Sequence, residues 1–305
     1  MGTDDAVGLC LTLFDSRLEI LAVTATEGCV TAEQANHNLQ AIIAELDPAR
    51  YPRLGNAQST DNAPPVDTRF LYGNDGLGNA GWDAPQPQHS YSSEKLIIDC
   101  VRANPEEVTI LCLGPLTNLA RAFQRDPKLP ELVGEIVMVG GSTDGTGNIT
   151  PCAEFNFYFD PPAARTVLRS RTTKTLIPLN VTRQVTFGFG SMDEFPGDHT
   201  RVGFFVRQIL PFTFRAYRQK LGMESIVLND AIGALALLEP QLIETEVVAC
   251  DVETDGELTR GMLVVDKRPT REWRPNVSVA TSIRVDAARQ YLLDLLMLAG
   301  NQSYS

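Results

Sequence analysis

Between Gly147 and Pro161 the chain reads GNITPCAEFNFYFDP. Asn148, Thr150, Glu154 and Asn156 fall within nine residues there, interleaved with Pro151, Cys152, Ala153 and Phe155. Amides and a carboxylate at this density can satisfy loop backbone, or they can hold the hydroxyls of a polar ligand; the spacing leaves both open. Two other acidic features invite the same question. Asp4 and Asp5 are adjacent in MGTDDAV, and Asp230 stands in VLNDAIGAL. Each opens a helical pattern, where a carboxylate caps free N–H groups and complements the helix dipole. Carboxylates are also the preferred ligands of a hard cation such as Ca²⁺.

Other chemistries find little support. The histidines His37, His89 and His199 lie away from these clusters, which argues against Ser-His-Asp or Cys-His nucleophiles. Six cysteines are widely spaced with no C-x-x-C pair, so a zinc site or disulfide framework is not expected and a reducing compartment fits. The net charge of -12 speaks against a partner with a phosphate backbone, so no nucleic-acid polymer is expected. The glycine-rich runs YGNDGLGNAG (72–81) and VGGSTDGTGN lack the G-K-[ST] ending of a phosphate loop. No apolar run is long enough to cross a bilayer, and MGTDDAV carries neither a basic nor an apolar leader region. The expected location is cytoplasmic.

The elements that must carry these groups alternate between strand and helix. LEILAVTAT (18–26), VTILCLG (108–114), EIVMVGG (135–141) and KTLIPLN (174–180) read as strands. Helical patterns cover 31–46, opened by a Thr31/Gln34 capping box, and then 92–103, 116–124 and 161–169. Further on, 203–221 and 230–238 read as helical, 246–266 as β-rich, and NVSVATSIRV precedes a closing helix from about Asp286. A Gly-, Pro- and Asn-rich loop spans roughly 54–90. Strands recurring between helices predict one α/β domain over 1–305, with a mostly parallel central sheet flanked by helices. The polar clusters fall just after strands or at helix starts, the end of a parallel sheet that binds ligands.

Taken in order, several segments resemble the inosine–uridine-preferring nucleoside hydrolases. TDDAVGLCLTLFDSRLEILAVTATEG is similar to that family's D-D-A helix and second strand, and LCLGPLTNLARAF to its P-L-T-N segment. GNITPCAEFNFYFDPPAA matches G-N-x-T-P-x-A-E-F-N-x-x-x-D-P-x-A-A, the most specific piece, and PLNVTRQ, LNDAIGAL and LTRGMLVVD follow in the family's order.

The resemblance implies hydrolysis of the N-glycosidic bond of ribonucleosides to ribose and free base. Asp4 and Asn156 would face the 2′- and 3′-hydroxyls of ribose, with Asn148 and Glu154 near the 5′-hydroxyl. One Ca²⁺ would be held by Asp5, Asp230 and the carbonyl of Leu113. A homodimer or homotetramer is also implied. Three positions depart from the family: Asn229 stands where many members carry the histidine that protonates the leaving base, Tyr72 replaces another histidine, and Cys29 replaces an asparagine. Tyr217 becomes a candidate substitute acid. The family's first strand and its leading aspartate, a metal ligand and base, would fall before Met1: either the true start lies upstream, with about ten to fifteen further residues ending in an Asp-x-Asp-like pair, or the chain lacks its base and its first strand. The alternative is a non-catalytic or altered-specificity nucleoside- or ribose-binding member of the same fold.

Overall fold

The computed structural model describes residues 1–61, 63–65, 67–85, 91–270 and 272–303; His89 lies outside them. The first half runs α1 (Thr3–Leu13), β1 (Ala22–Thr24), α2 (Ala32–Leu46), β2 (Arg53–Asn56), α3 (Arg69–Tyr72), β3 (Tyr91–Ser92), α4 (Ser93–Ala103), β4 (Thr109–Cys112) and α5 (Thr117–Arg125). Next come β5 (Glu135–Val139), α6 (Phe155–Phe159), α7 (Pro161–Arg169), β6 (Lys174–Ile177), α8 (Leu179–Thr182) and β7 (Thr186–Gly188). The chain ends with α9 (Arg201–Ala216), β8 (Ser225–Val227), α10 (Asn229–Leu238), β9 (Ile243–Val248), β10 (Cys250–Val252), β11 (Leu263–Val265), β12 (Val277–Ile283) and α11 (Val285–Gln302).

The central sheet has the order β4-β5-β6-β12-β9 and is parallel except for β9, which runs antiparallel to β12. A second parallel sheet has the order β1-β2-β3, while β7 with β8 and β10 with β11 form small antiparallel pairs. The expected α/β architecture with a mostly parallel sheet is what the chain adopts. Local signals set the helices. Thr31 accepts from the Gln34 N–H at the start of α2, whose Ala35, Leu39, Ile42, Ile43 and Leu46 form one buried face. Among the described residues no helix is long and apolar enough to cross a membrane.

Some boundaries differ from those the sequence predicts. The strand expected over 18–26 is reduced to Ala22–Thr24. The helix expected over 203–221 ends at Ala216, then widens into a π-turn at Tyr217–Leu221 that stops on left-handed Gly222. The pair β7–β8 has no counterpart in the sequence pattern, because each strand is only three residues long and shows no alternation to read.

The carboxylates Asp4, Asp5 and Asp230 sit on α1 and α10, which are buried almost all round, consistent with their apolar composition. Both helices approach the sheet closely because of two glycines. A β-carbon on Gly8 would lie 3.0 Å from Leu113 Cδ1 and 3.4 Å from the Asp230 carbonyl oxygen. One on Gly233 would lie 2.5 Å from Val139 Cγ2 and 2.9 Å from Leu113 Cδ2. The ends of β4 and β5, α1 and α10 therefore meet at one point.

The central sheet and the smaller parallel sheet are separate among the described residues. β1 pairs only with β2, β4 only with β5, and no described strand lies between them. Residues of both strands line a cavity of ≈ 500 Å³ that reaches Met1 and Asp5 and is also lined by Leu9 and Thr12 of α1 and Ile97 and Val101 of α4. Ile110 and Leu111 of β4 are consequently only half-buried, whereas Ile136 to Val139 of β5 are buried. Thr26, which also lines the cavity, has a buried hydroxyl with no hydrogen-bond partner.

Candidate active site

Asp4 and Asp5 occupy the first turn of α1, and Asp230 the first turn of α10. One carboxylate oxygen from each lies within 4.8 Å of the others. Ligand oxygens sit about 2.3–2.6 Å from Ca²⁺, so oxygens sharing one ion are at most about 5 Å apart. The observed grouping fits that limit. It also fits electrostatically. Burial, then the charge of Asp5, pushes the Asp4 carboxyl up to about 7. Burial, then the charges of Asp4, Asp5 and Glu154, holds Asp230 well above the carboxylate range. Carboxyls raised in this way either keep their protons or gain a cation. Asp5 has the capping role as well, accepting from the Gly2 N–H at 2.7 Å.

The polar segment that holds Asn148, Glu154 and Asn156 packs beside this cluster. Glu154 caps α6: one oxygen accepts from Asn156 N–H at 2.9 Å, the other from Gly141 N–H at 2.9 Å and Phe157 N–H at 3.2 Å. Burial still pushes its carboxyl up to about 7, against the pull of those three donors. Asn156 spends both amide hydrogens on backbone, donating to Leu113 O at 2.8 Å and Val139 O at 3.1 Å. These carbonyls stand at the ends of β4 and β5, so the amide is clamped with its oxygen left to accept. Asn148 is exposed, and its oxygen takes the Phe155 N–H at 2.9 Å, leaving its NH₂ to donate. Leu113 O, expected as a metal ligand, thus already accepts one bond and retains a second lone pair.

Cys29 and Tyr72 gather around Gly2. A β-carbon there would lie 3.3 Å from each of Asp4 Oδ1, Cys29 Sγ and a Tyr72 ring carbon. The Cys29 thiol is pushed up to about 11, chiefly by burial, and stays protonated near neutrality. Tyr72 and Tyr217 are held above the usual phenol range, first by burial and next by the charge of Asp4. Tyr217 is 8% exposed, with the Val227 N–H hydrogen-bonded to its phenol oxygen. Asn229, at the head of α10, hydrogen-bonds to Asp4. Asp4, Asp5, Asp230 and Asn156 thus meet at the ends of β4 and β5, with Cys29, Tyr72 and Asn229 against Asp4.

Other polar residues there do structural work. Asn118 donates to the Ala25 carbonyl at 2.6 Å, and Thr117 donates to Asp160 at 2.7 Å, which caps α7. The P-L-T-N segment thus ties α5 to its neighbours. Residues that the sequence does not single out as candidates include Thr3, fully buried and 2.9 Å from Thr213, and Thr182, 2.7 Å from Asn229. Local signals are silent on them, because their partners are 210 and 47 positions away.

Comparison with known proteins gives these features a context. Residues 1–290 match the family model described as inosine-uridine preferring nucleoside hydrolase. The chain is 31% identical over 302 residues to the pyrimidine-specific ribonucleoside hydrolase RihA of Salmonella paratyphi A, covering 97% of this chain and 94% of that one. Its RihA counterpart from Klebsiella pneumoniae is 32% identical over 303 residues, with the same coverage. Among solved structures, a purine-preferring ribonucleoside hydrolase from Gardnerella vaginalis superposes with a TM-score of 0.89 at 25% identity, covering 98% of this chain and 97% of that one. A plant nucleoside hydrolase, PpNRh1, does so with a TM-score of 0.88 at 26% identity, covering 100% and 96%. The motifs, the fold and the convergent carboxylates have one common explanation: the chain belongs to the inosine–uridine preferring nucleoside hydrolase family.

Proposed function

We propose that this protein hydrolyses the N-glycosidic bond of small ribonucleosides, with Ca²⁺ held by Asp5, Asp230 and the Leu113 carbonyl. The observation that carries the reading is the grouping of Asp4, Asp5 and Asp230 within 4.8 Å beside the Asn156 clamp. A cation held there would supply a bound water of lowered pKa as the nucleophile. Asp4 and the fixed Asn156 oxygen accept from two ribose hydroxyls, and the Asn148 amide and the Glu154 carboxyl reach the 5′-hydroxyl. Positive charge develops on the sugar as the bond breaks, and these oriented carboxylate and amide oxygens stabilise it. Phe155, packed 5.8 Å from Phe159, helps exclude water.

On the leaving-group side, Asn229 is a poor proton donor, and the protonated phenols of Tyr72 and Tyr217 are the acids at hand. The relatives include pyrimidine-specific and purine-preferring enzymes, so uridine, cytidine and inosine form the substrate panel. Six free cysteines support work in a reducing cytoplasm, and we expect a homodimer or homotetramer, read by light scattering after size exclusion.

A p-nitrophenyl riboside supplies the test, because nitrophenolate departs without protonation. Turnover of uridine, cytidine or inosine, abolished by Asp230→Ala, supports the hydrolase. Tyr217→Phe should slow the natural nucleosides more than the nitrophenyl riboside. Nucleoside binding without turnover of any of these would favour the alternative, a binding protein of the same fold, which Asn229 in the acid's place allows.

A further inference from the structure

Thr182 closes the short helix α8 and is fully buried, and it is not among the residues that hold the cation or the ribose. Its hydroxyl stands 2.7 Å from Asn229 Oδ1, with the Leu179 carbonyl of its own turn as a longer alternative at 3.1 Å. An amide oxygen only accepts, so the hydroxyl must be the donor to Asn229. That contact fixes which way the amide faces. With Oδ1 turned to Thr182, the NH₂ turns away, and Asn229 hydrogen-bonds to the Asp4 carboxylate on that other side. A flipped amide would set its oxygen against a carboxylate oxygen, two acceptors with no hydrogen between them.

The chain Thr182–Asn229–Asp4 therefore links the end of α8, the start of α10 and the start of α1. It does so where three carboxylates crowd together and Asp4 most needs a donor. Asn229 has little freedom to be the proton donor that its place in the sequence suggests, because its orientation is committed at both ends.

We propose that Thr182 is a positioning residue: by holding Asn229 in one amide orientation it keeps an N–H on Asp4 and so aims the carboxylate that receives the ribose. The inference rests on the hydrolase reading and deepens it. It predicts that Thr182 matters only through Asn229.

The test is a double-mutant cycle on the full chain with uridine, cytidine and inosine. Thr182→Val, equal in shape but without the donor, should lower kcat/KM about tenfold, and Thr182→Ser should keep it within about twofold. In an Asn229→Ala background, Thr182→Val should change kcat/KM by less than about twofold. Equal losses in both backgrounds, or a Thr182→Ser variant as poor as the valine, would overturn the proposal, since a merely structural hydroxyl predicts them. A second readout is independent of turnover: the ¹⁵N side-chain amide signals of Asn229 should shift and broaden in Thr182→Val and stay in place in Thr182→Ser. An inactive parent protein would sink the hydrolase reading alone, and the amide signals would still decide the relay. Unchanged Asn229 signals in Thr182→Val would refute it.

Discussion

Removing divalent cations should make this protein less stable at pH 7 than at pH 5, the reverse of ordinary acid sensitivity. Burial lifts Asp4 from 3.8 to about 7 and Glu154 from 4.5 to about 7, and it lifts Asp230 in the same direction. The folded chain keeps these protons at pH values where the unfolded chain has released them. Bound protons are then more numerous in the folded state, so stability falls as pH rises through this interval. At about 1.4 kcal/mol per pH unit, tapering as the folded group reaches its midpoint near pH 7, one such group costs about 2.3 kcal/mol between pH 5 and pH 7. An unfolding entropy of about 2.1 cal/mol/K per residue turns that into a fall in Tm of about 4 °C for a chain of this length. The acids interact, so their separate contributions do not simply add. Groups of opposite sign act elsewhere: Asp144 and Asp266, held low by Thr146 and Arg268 respectively, lose their stabilisation below about pH 4. Lys174, lowered to about 8 by burial, acts above that value. The assay is thermal unfolding at pH 5, 6 and 7, with EDTA or with Ca²⁺. Ca²⁺ binds the deprotonated set, so it should raise Tm most at pH 7. Asp230→Asn should flatten the EDTA slope and abolish the Ca²⁺ response. An EDTA-treated protein as stable at pH 7 as at pH 5 would refute the reasoning.

Asn156→Ala should lower kcat/KM by at least about tenfold in the uridine and inosine assays, since it removes both the acceptor and its clamp. Glu154→Ala should do the same and also lower Tm, because three backbone N–H groups lose their acceptor at about 1–3 kcal/mol each where no water replaces it. Gly233→Ala puts a β-carbon 2.5 Å from Val139 Cγ2 and should destabilise by about 1–3 kcal/mol in denaturant titrations, with weaker Ca²⁺ stabilisation. A valine- and isoleucine-rich extension of about seven residues ahead of Met1 should seat between β1 and β4 and slow hydrogen exchange at Ala22–Thr24 and Thr109–Cys112. Exchange no slower than with a glycine–serine extension of equal length would show that the cavity does not admit a strand.

Much of the fold was legible because its elements carry their own signals. α2 has a cap and one apolar face, and α7 begins on Asp160 followed by Pro161, as an N-terminus with proline in its first turn should. β5 reads as a continuous apolar run because both its faces are covered. What stayed hidden depends on partners remote in sequence. β7 and β8 exist because Thr186 to Gly188 meet Ser225 to Val227 across the chain, and three residues show no period alone. β1 shrinks to three residues where one of its edges is left unpaired. Thr182 and Thr3 look like any small polar residue until the helices bring them to Asn229 and Thr213.

The candidate site shows why its residues admitted two readings. From the sequence, Asp4, Asp5 and Asp230 could be helix caps or cation ligands, and Glu154 a loop acceptor or a ribose contact. In the fold these are not alternatives. Asp5 caps Gly2 and belongs to the carboxylate cluster, and Glu154 caps α6 while its charge acts on Asp230. A helix start is a favourable place for a carboxylate, since its free N–H groups and dipole offset part of the cost of burying negative charge. The parallel sheet brings the starts of α1, α6 and α10 to its C-terminal edge, so residues placed for local reasons converge. Helix starts offset only part of the cost of burial and of mutual repulsion, as the raised Asp4, Glu154 and Asp230 show, burial being the larger cause in each. The remainder is free energy that protons or a divalent cation can relieve, and of the two only the cation persists above neutral pH.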